Sequence, residues 1–259
     1  MPVTVTRDDA VDHVAHLRID AGELNLFGPE VARELRTEVE SVPADVSVLT
    51  IRGQADTEDG GLTAGIPLDR VVDYSTLEAR EMLIDLYGAM DAVRNAGPVT
   101  VCGCGSYALG AGLELAMACD FRIAKEDAVL GLPEIDVGLV TGIQGGLLIR
   151  LVGLQTAKEL IYTGETVSGS RAEEIDLVNR AVPDDAYGAA IDDVVDALAA
   201  KSPIVLRWQK QVFAAWRSGG IESGIDASLE TIAACFGTDD QSEAMAAFLE
   251  DREPSFEGR

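Results

Sequence analysis

Lysine is scarce in this chain. Lys125, Lys158, Lys201 and Lys210 are joined by sixteen arginines, giving 20 basic residues against 45 acidic ones and a formal charge of −25. Such a surface repels nucleic acid and anionic membrane, which excludes both as expected partners. Histidine is scarcer still, with His13 and His16 alone. A histidine-rich metal site is therefore excluded, and a Ser-His-Asp triad would have to use one of two residues in a strand-like segment with no obvious partner nearby. We read both as structural. No apolar run reaches the roughly 18 residues needed to span a bilayer. The start, Met1-Pro2-Val3-Thr4, lacks a basic segment followed by an apolar one, so no secretory signal and a cytoplasmic location are expected. Cysteine is limited to Cys102, Cys104, Cys119 and Cys235. A Cys-x-Cys pair without a second pair is a poor zinc signal, so reduced packing residues are expected and no metal.

What is present is apolar material, 47% of 259 residues, enough for a sizeable core in one large domain or one with a small appendage. The acidic residues are spread along the chain and form no tail. That is the pattern of a halophilic cytoplasmic protein, in which dense counterions screen self-repulsion.

Apolar periodicity places a strand at 11–20, a helix from Gly28 to Val42 and a strand at 47–53. The acidic, glycine-rich stretch from Gln54 to Gly61 reads as a loop. A long amphipathic helix at 74–96 ends at Gly97-Pro98, and a strand at 99–103 follows. Gly110-Ala111-Gly112 opens a helix to Ala118, followed by a strand at 120–124. Further helices are expected at 154–162, from Ser170 (whose spacing to Glu173 is that of a capping box), and at 189–200, 203–217, 225–236 and 240–250. Strands alternating with helices and then helices alone imply α/β architecture with a mostly parallel sheet and a helical C-terminal region.

Two glutamates stand out. Glu114 closes Tyr107-Ala108-Leu109-Gly110-Ala111-Gly112-Leu113-Glu114, and Glu134 closes Leu130-Gly131-Leu132-Pro133-Glu134. The segment between them is largely apolar, and burying a carboxylate is costly. Two there suggest an acid and a base working away from bulk water, with pKa values raised by desolvation and by each other. The small residues at 110–112 let backbone approach a ligand closely, and the helix start directs free N–H groups at an oxygen that becomes anionic. The segment is no Walker loop, because no Lys-Ser/Thr follows. It is no dinucleotide fingerprint, because Leu115 stands where the third glycine belongs.

These segments resemble the enoyl-CoA hydratase/isomerase (crotonase) family. The resemblance runs through Pro98-Val99-Thr100-Val101, Tyr107 to Glu114, Leu115 to Ala124 and Gly131-Leu132-Pro133-Glu134. It continues in Glu23-Leu24-Asn25, Thr63-Ala64-Gly65-Ile66, Leu151-Val152-Gly153-Leu154, Leu177-Val178-Asn179 and Glu243-Ala244-Met245. It implies a crotonase-like spiral of ββα repeats over residues 1–195 and a helical trimerisation region over 196–259, assembled as a homotrimer or homohexamer. The implied ligand is an acyl-CoA thioester, with no cofactor beyond coenzyme A as part of the substrate. Its carbonyl oxygen would sit between the backbone N–H groups of Ile66 and Ala111, with Leu24, Ala64, Gly65 and Gly110 against the substrate. The implied reaction is reversible addition of water to a trans-2-enoyl-CoA, giving a 3-hydroxyacyl-CoA. Glu114 is assigned to activating the water that attacks C3, and Glu134 to delivering a proton at C2.

The sequence departs from the family pattern in places. Ile66-Pro67 replaces the usual alanine-aspartate, Ala111 is the middle of a glycine triplet, and Asp20 to Glu23 lacks the basic residues often found there. Arg52, Arg70 and Arg252 are then the candidates for the CoA phosphates. Two alternatives follow from the same residues: double-bond isomerisation, which needs one carboxylate, and a non-catalytic acyl-CoA-binding oligomer, if Ile66 occludes the pocket.

Overall fold

The computed structural model describes residues 1–54, 60–219 and 221–259. β1 (Val3–Arg7) pairs antiparallel with β2 (Val14–Ile19); β2, β3 (Val48–Arg52), β4 (Val99–Leu109) and β5 (Phe121–Gly131) then run parallel, neighbour to neighbour. β6 (Val167–Ser168) pairs antiparallel and β7 (Arg180–Val182) parallel with β5. The parallel strands are connected by α1 (Pro29–Glu40), then α2 (Leu68–Val71) with α3 (Thr76–Arg94), then α4 (Ala111–Ala118).

The period-2 alternation of the strands explains the layering. Ala15, Leu17, Leu49, Ile51, Cys102 and Cys104 point into a core shared with Leu35, Leu86 and Met90 of α1 and α3. Val14, Val48, Val101 and Ile123 point the other way, toward Ile191, Val194 and Val195. Those three lie on α7 (Tyr187–Ala199), which follows α5 (Leu148–Thr163) and α6 (Gly169–Glu174). A parallel sheet covered on both faces is apolar along its whole length, which is why strands 48–52 and 99–104 read as continuous apolar runs. Residue 195, the expected end of the core, falls inside α7. α8 (Pro203–Gly219), α9 (Ile221–Cys235) and α10 (Asp239–Glu250) complete the chain.

Several boundaries differ from expectation. β1 and β7 were not foreseen: β1 is a five-residue edge strand and β7 spans three residues paired 57 positions away. β4 and β5 each extend to eleven residues, with register shifts between Gly103 and Tyr107. α6 is capped by Ser168, which accepts from the Arg171 N–H; the Ser170 hydroxyl instead donates to the Glu126 carbonyl. Most of the expected loop at 54–61 lies outside the described residues. The histidines are structural: His13 Nδ1 bonds to the Asp45 carbonyl, and His16 bridges Thr50 and Asp8. Cys102, Cys104 and Cys119 are buried in the core. Among the described residues, no helix is long and apolar enough to cross a membrane.

Candidate active site

The strand β4 ends at Leu109, and Gly110 turns the chain into α4 with φ 53° and ψ −122°. Every residue of α4 is buried, Glu114 included. The neighbouring segment, Thr63 to Ile66, is drawn against this helix start. Thr63 bridges Ala108, the Leu109 N–H donates to the Thr63 carbonyl, and a Cβ on Gly112 would stand 2.3 Å from that same oxygen. Only glycine permits that approach. Gly65, at φ +95°, carries the chain onward, and its own missing Cβ would lie 3.8 Å from the Ala111 nitrogen. The Ile66 and Ala111 N–H groups therefore stand in adjacent segments. Ala111 is the first residue of its helix, where an N–H has no intrahelical partner. Among the described residues no acceptor takes the Ile66 N–H.

Glu114 and Glu134 line one cavity of about 200 Å³ together with Ala64, Gly65, Ile66, Gly110 and Ala111. The structure thus brings together all but one of the catalytic, oxyanion and acyl-contact residues expected from the sequence. The exception is Leu24, which is 54% exposed and reaches the site through its carbonyl, the acceptor for the Ala64 N–H. The remaining walls are mostly apolar, Leu68, Leu83, Val137, Leu139, Val140 and Ile143 among them, with Asp136 as the one further carboxylate among the described residues.

The two carboxylates are held differently. Glu114 is 2% exposed, and its Oε1 accepts from the Gln144 N–H at 2.6 Å. Burial pushes its pKa up to about 7, with the charge of Glu134 adding to the rise and the N–H groups of residues 143–145 opposing it. Glu134 sits half-buried in the 3₁₀ turn Pro133–Val137, and its Oε2 accepts from the Thr141 hydroxyl at 2.8 Å. Its Oε1 would be 3.2 Å from a Cβ on Gly110, which measures how closely this turn approaches the start of α4.

Thr141 and Gln144 were missed in the sequence. The signal available was their position in the glycine-rich stretch after Glu134. The three arginines considered for phosphate binding are otherwise engaged. Arg52 lies 5.6 Å from the Tyr187 ring centroid, Arg70 pairs with Glu30 at 3.3 Å, and Arg252 clamps Glu243 with two bonds of 2.6 and 2.8 Å. Among the described residues no group of three or more His, Cys, Asp or Glu side chains is placed to hold a metal.

Comparison with known proteins identifies the family. The family model for enoyl-CoA hydratase/isomerase matches residues 12–259. The chain belongs to the enoyl-CoA hydratase/isomerase family. It is 31% identical over 242 residues to the crotonyl-CoA hydratase of Syntrophomonas wolfei, covering 90% of each chain. It is 32% identical over 262 residues to a probable enoyl-CoA hydratase of Mycobacterium bovis, covering 99% of this chain and 98% of the other. Among solved structures, an enoyl-CoA hydratase from Bacillus anthracis superimposes with a TM-score of 0.93 at 27% identity, covering all of both chains. Pseudomonas aeruginosa DspI superimposes at 0.91 with 30% identity over 99% of this chain and 97% of its own. The architecture is accordingly the crotonase fold, a mixed α/β sheet with a helical C-terminal part. Enzymes of the family need no cofactor beyond their CoA substrate.

Proposed function

We propose that this family member is an enoyl-CoA hydratase that adds water reversibly across the double bond of a short trans-2-enoyl-CoA. One observation carries the reading: two glutamates and two uncommitted backbone N–H groups border a single small cavity. The thioester oxygen accepts from the Ile66 and Ala111 N–H groups. This withdraws electrons from C3 and stabilises the enolate formed on attack, an effect worth about 3 kcal/mol per donor in comparable sites. Both donors are main-chain, so Ile66 can stand in for a smaller residue without losing the interaction. Glu114, as carboxylate, takes a proton from the water that attacks C3. Glu134 delivers a proton to C2, and the shared water couples their titrations. Mostly apolar walls and a volume of about 200 Å³ suit a small acyl group, and relatives bear the names crotonyl-CoA hydratase and short-chain-enoyl-CoA hydratase.

The test is a panel of 2-enoyl-CoA and 3-enoyl-CoA esters of increasing length, assayed at low and molar salt in the cytoplasmic pH range. Fastest hydration is expected for crotonyl-CoA. Faster turnover of a 3-enoyl-CoA would assign the site to isomerisation, and tight binding without turnover would make it a binding module. Residues 196–259 form the self-associating region in this proposal. Phe213, Leu229, Ile232, Phe236, Phe248 and Leu249 are exposed there, apolar surface that association would cover. Light scattering is expected to give three or six copies.

A further inference from the structure

Gln144, whose main chain holds Glu114, also lines a second cavity, of about 630 Å³, and Ile143 borders both cavities. Three arginines line the second one: Arg94 from the end of α3, Arg150 from α5 and Arg217 from α8. Among the described residues no aspartate or glutamate lines it, in a chain with 45 acidic residues. Arg94 has one carboxylate partner, Asp91. Arg217 donates to the Asn95 side-chain oxygen at 3.3 Å, and neither it nor Arg150 has an ion pair with a described residue. Burial, with the charges of Arg94 and Arg150, presses the Arg217 pKa below its ordinary value, partly offset by Asp120 and Asp91.

Gln144 supplies an independent sign. It is 4% exposed, and Arg94 Nη1 donates to its Oε1 at 3.2 Å, which fixes the amide orientation. Its Nε2 is then buried with no acceptor among the described residues, as is Arg94 Nε. Leaving a buried donor unmet costs about 1–3 kcal/mol, and both unmet donors belong to residues in the wall of this cavity.

We propose that Arg94, Arg150 and Arg217, with Gln144 in the wall behind Arg94, form a binding site for a small free oxyanion of the phosphate class. Guanidinium forks match the oxygens of such an anion in a way that a compact halide cannot use. An oxyanion there ties α3, the 142–147 loop and α8 together. It also steadies Gln144, a positioning residue whose N–H fixes Glu114.

The experiment is calorimetric titration of inorganic phosphate into the full chain at constant ionic strength set with sodium chloride, repeated with Arg150→Gln and Arg217→Gln. One saturable site per chain is expected, weakened roughly tenfold by each substitution, as for loss of one charge-assisted hydrogen bond. Arg150 is exposed and bonds to no described residue, so its variant is expected to fold; circular dichroism checks this. Absence of saturable binding overturns the proposal, and so does equal binding by both variants. A phosphate effect confined to association state also overturns it, giving the guanidinium groups to a carboxylate of a second copy. The readout is heat, so the result stands apart from whether the chain hydrates enoyl-CoA.

Discussion

Glu114 and Glu134 are the same residue type in one cavity, yet their surroundings differ in kind. Glu114 stands on a helix with no exposed residue and is held by main-chain N–H groups. Glu134 stands in a short turn whose next residues, Ile135 to Val137, are exposed, and is held by one hydroxyl. Main-chain donors cannot rotate away, whereas a threonine side chain can. The comparison teaches that the buried wall raises its carboxyl pKa by desolvation, while the open wall leaves its carboxylate beside water. A water held between them would meet the same chemical group in two different surroundings.

The largest expected effect breaks the pair. Glu114→Gln and Glu134→Gln should each lower kcat for crotonyl-CoA hydration by about 10²–10⁴-fold, with substrate binding retained. Full activity in both would end the proposal. The pH dependence separates the two walls. If Glu114 is the base it must be ionised, so kcat/KM should rise with pH through about 7. Stability should move oppositely. The folded pKa of Glu114 lies above its ordinary 4.5, so between 4.5 and about 7 the folded chain binds more protons than the unfolded one. Its contribution to stability is greatest below that window and falls by about 3 kcal/mol as pH rises through it. Glu114→Gln should flatten this slope and unfold at higher denaturant than the parent at pH 8. Loss of activity together with gain of stability would show that burial of this carboxylate is maintained against its own cost. Glu134→Gln should keep the part of the slope that burial produces and lose the smaller part that the Glu134 charge adds.

Much of this contrast was legible in the sequence. The β-branched runs at 48–52 and 99–103 and the apolar spacing of α1 and α3 gave the layers, because local period and burial agree there. Glu114 and Glu134 were visible as carboxylates in apolar surroundings, beside glycines that mark a close approach. Thr141, Gln144 and the arginine-lined cavity were not. They are set by where the end of α3, the 142–147 loop and α8 meet, positions up to 123 residues apart in the chain. β7 escaped for the same reason: three residues carry no period, and its pairing partner decides it. The capping-box spacing at Ser170 misled because Ser168, two residues earlier, reaches the same helix start.

A smaller perturbation tests whether the two walls are linked. A Cβ on Gly145 would lie 2.7 Å from Thr141 Cγ2 and 3.6 Å from Glu114 Oε1. Gly145→Ala should therefore displace the Thr141 side chain and the loop that holds Glu114, at about 1–3 kcal/mol of stability. Activity should fall, though by less than on loss of either carboxylate. An alanine variant with unchanged kcat would show the walls to be independent.

The smallest effect isolates the open wall. Thr141→Val keeps the shape of the side chain and removes the hydroxyl that donates to Glu134 Oε2. The hydroxyl fixes the orientation of the Glu134 carboxylate, and the variant loses that hold. Loss of one such bond is worth about 1 kcal/mol, or roughly a fivefold change in kcat. The change should appear in the size of kcat and leave the limb of the pH profile near 7 where it was. A shift of the limb near 7 instead would mean that Thr141 acts through Glu114, and the division of labour between the two carboxylates would have to be reversed.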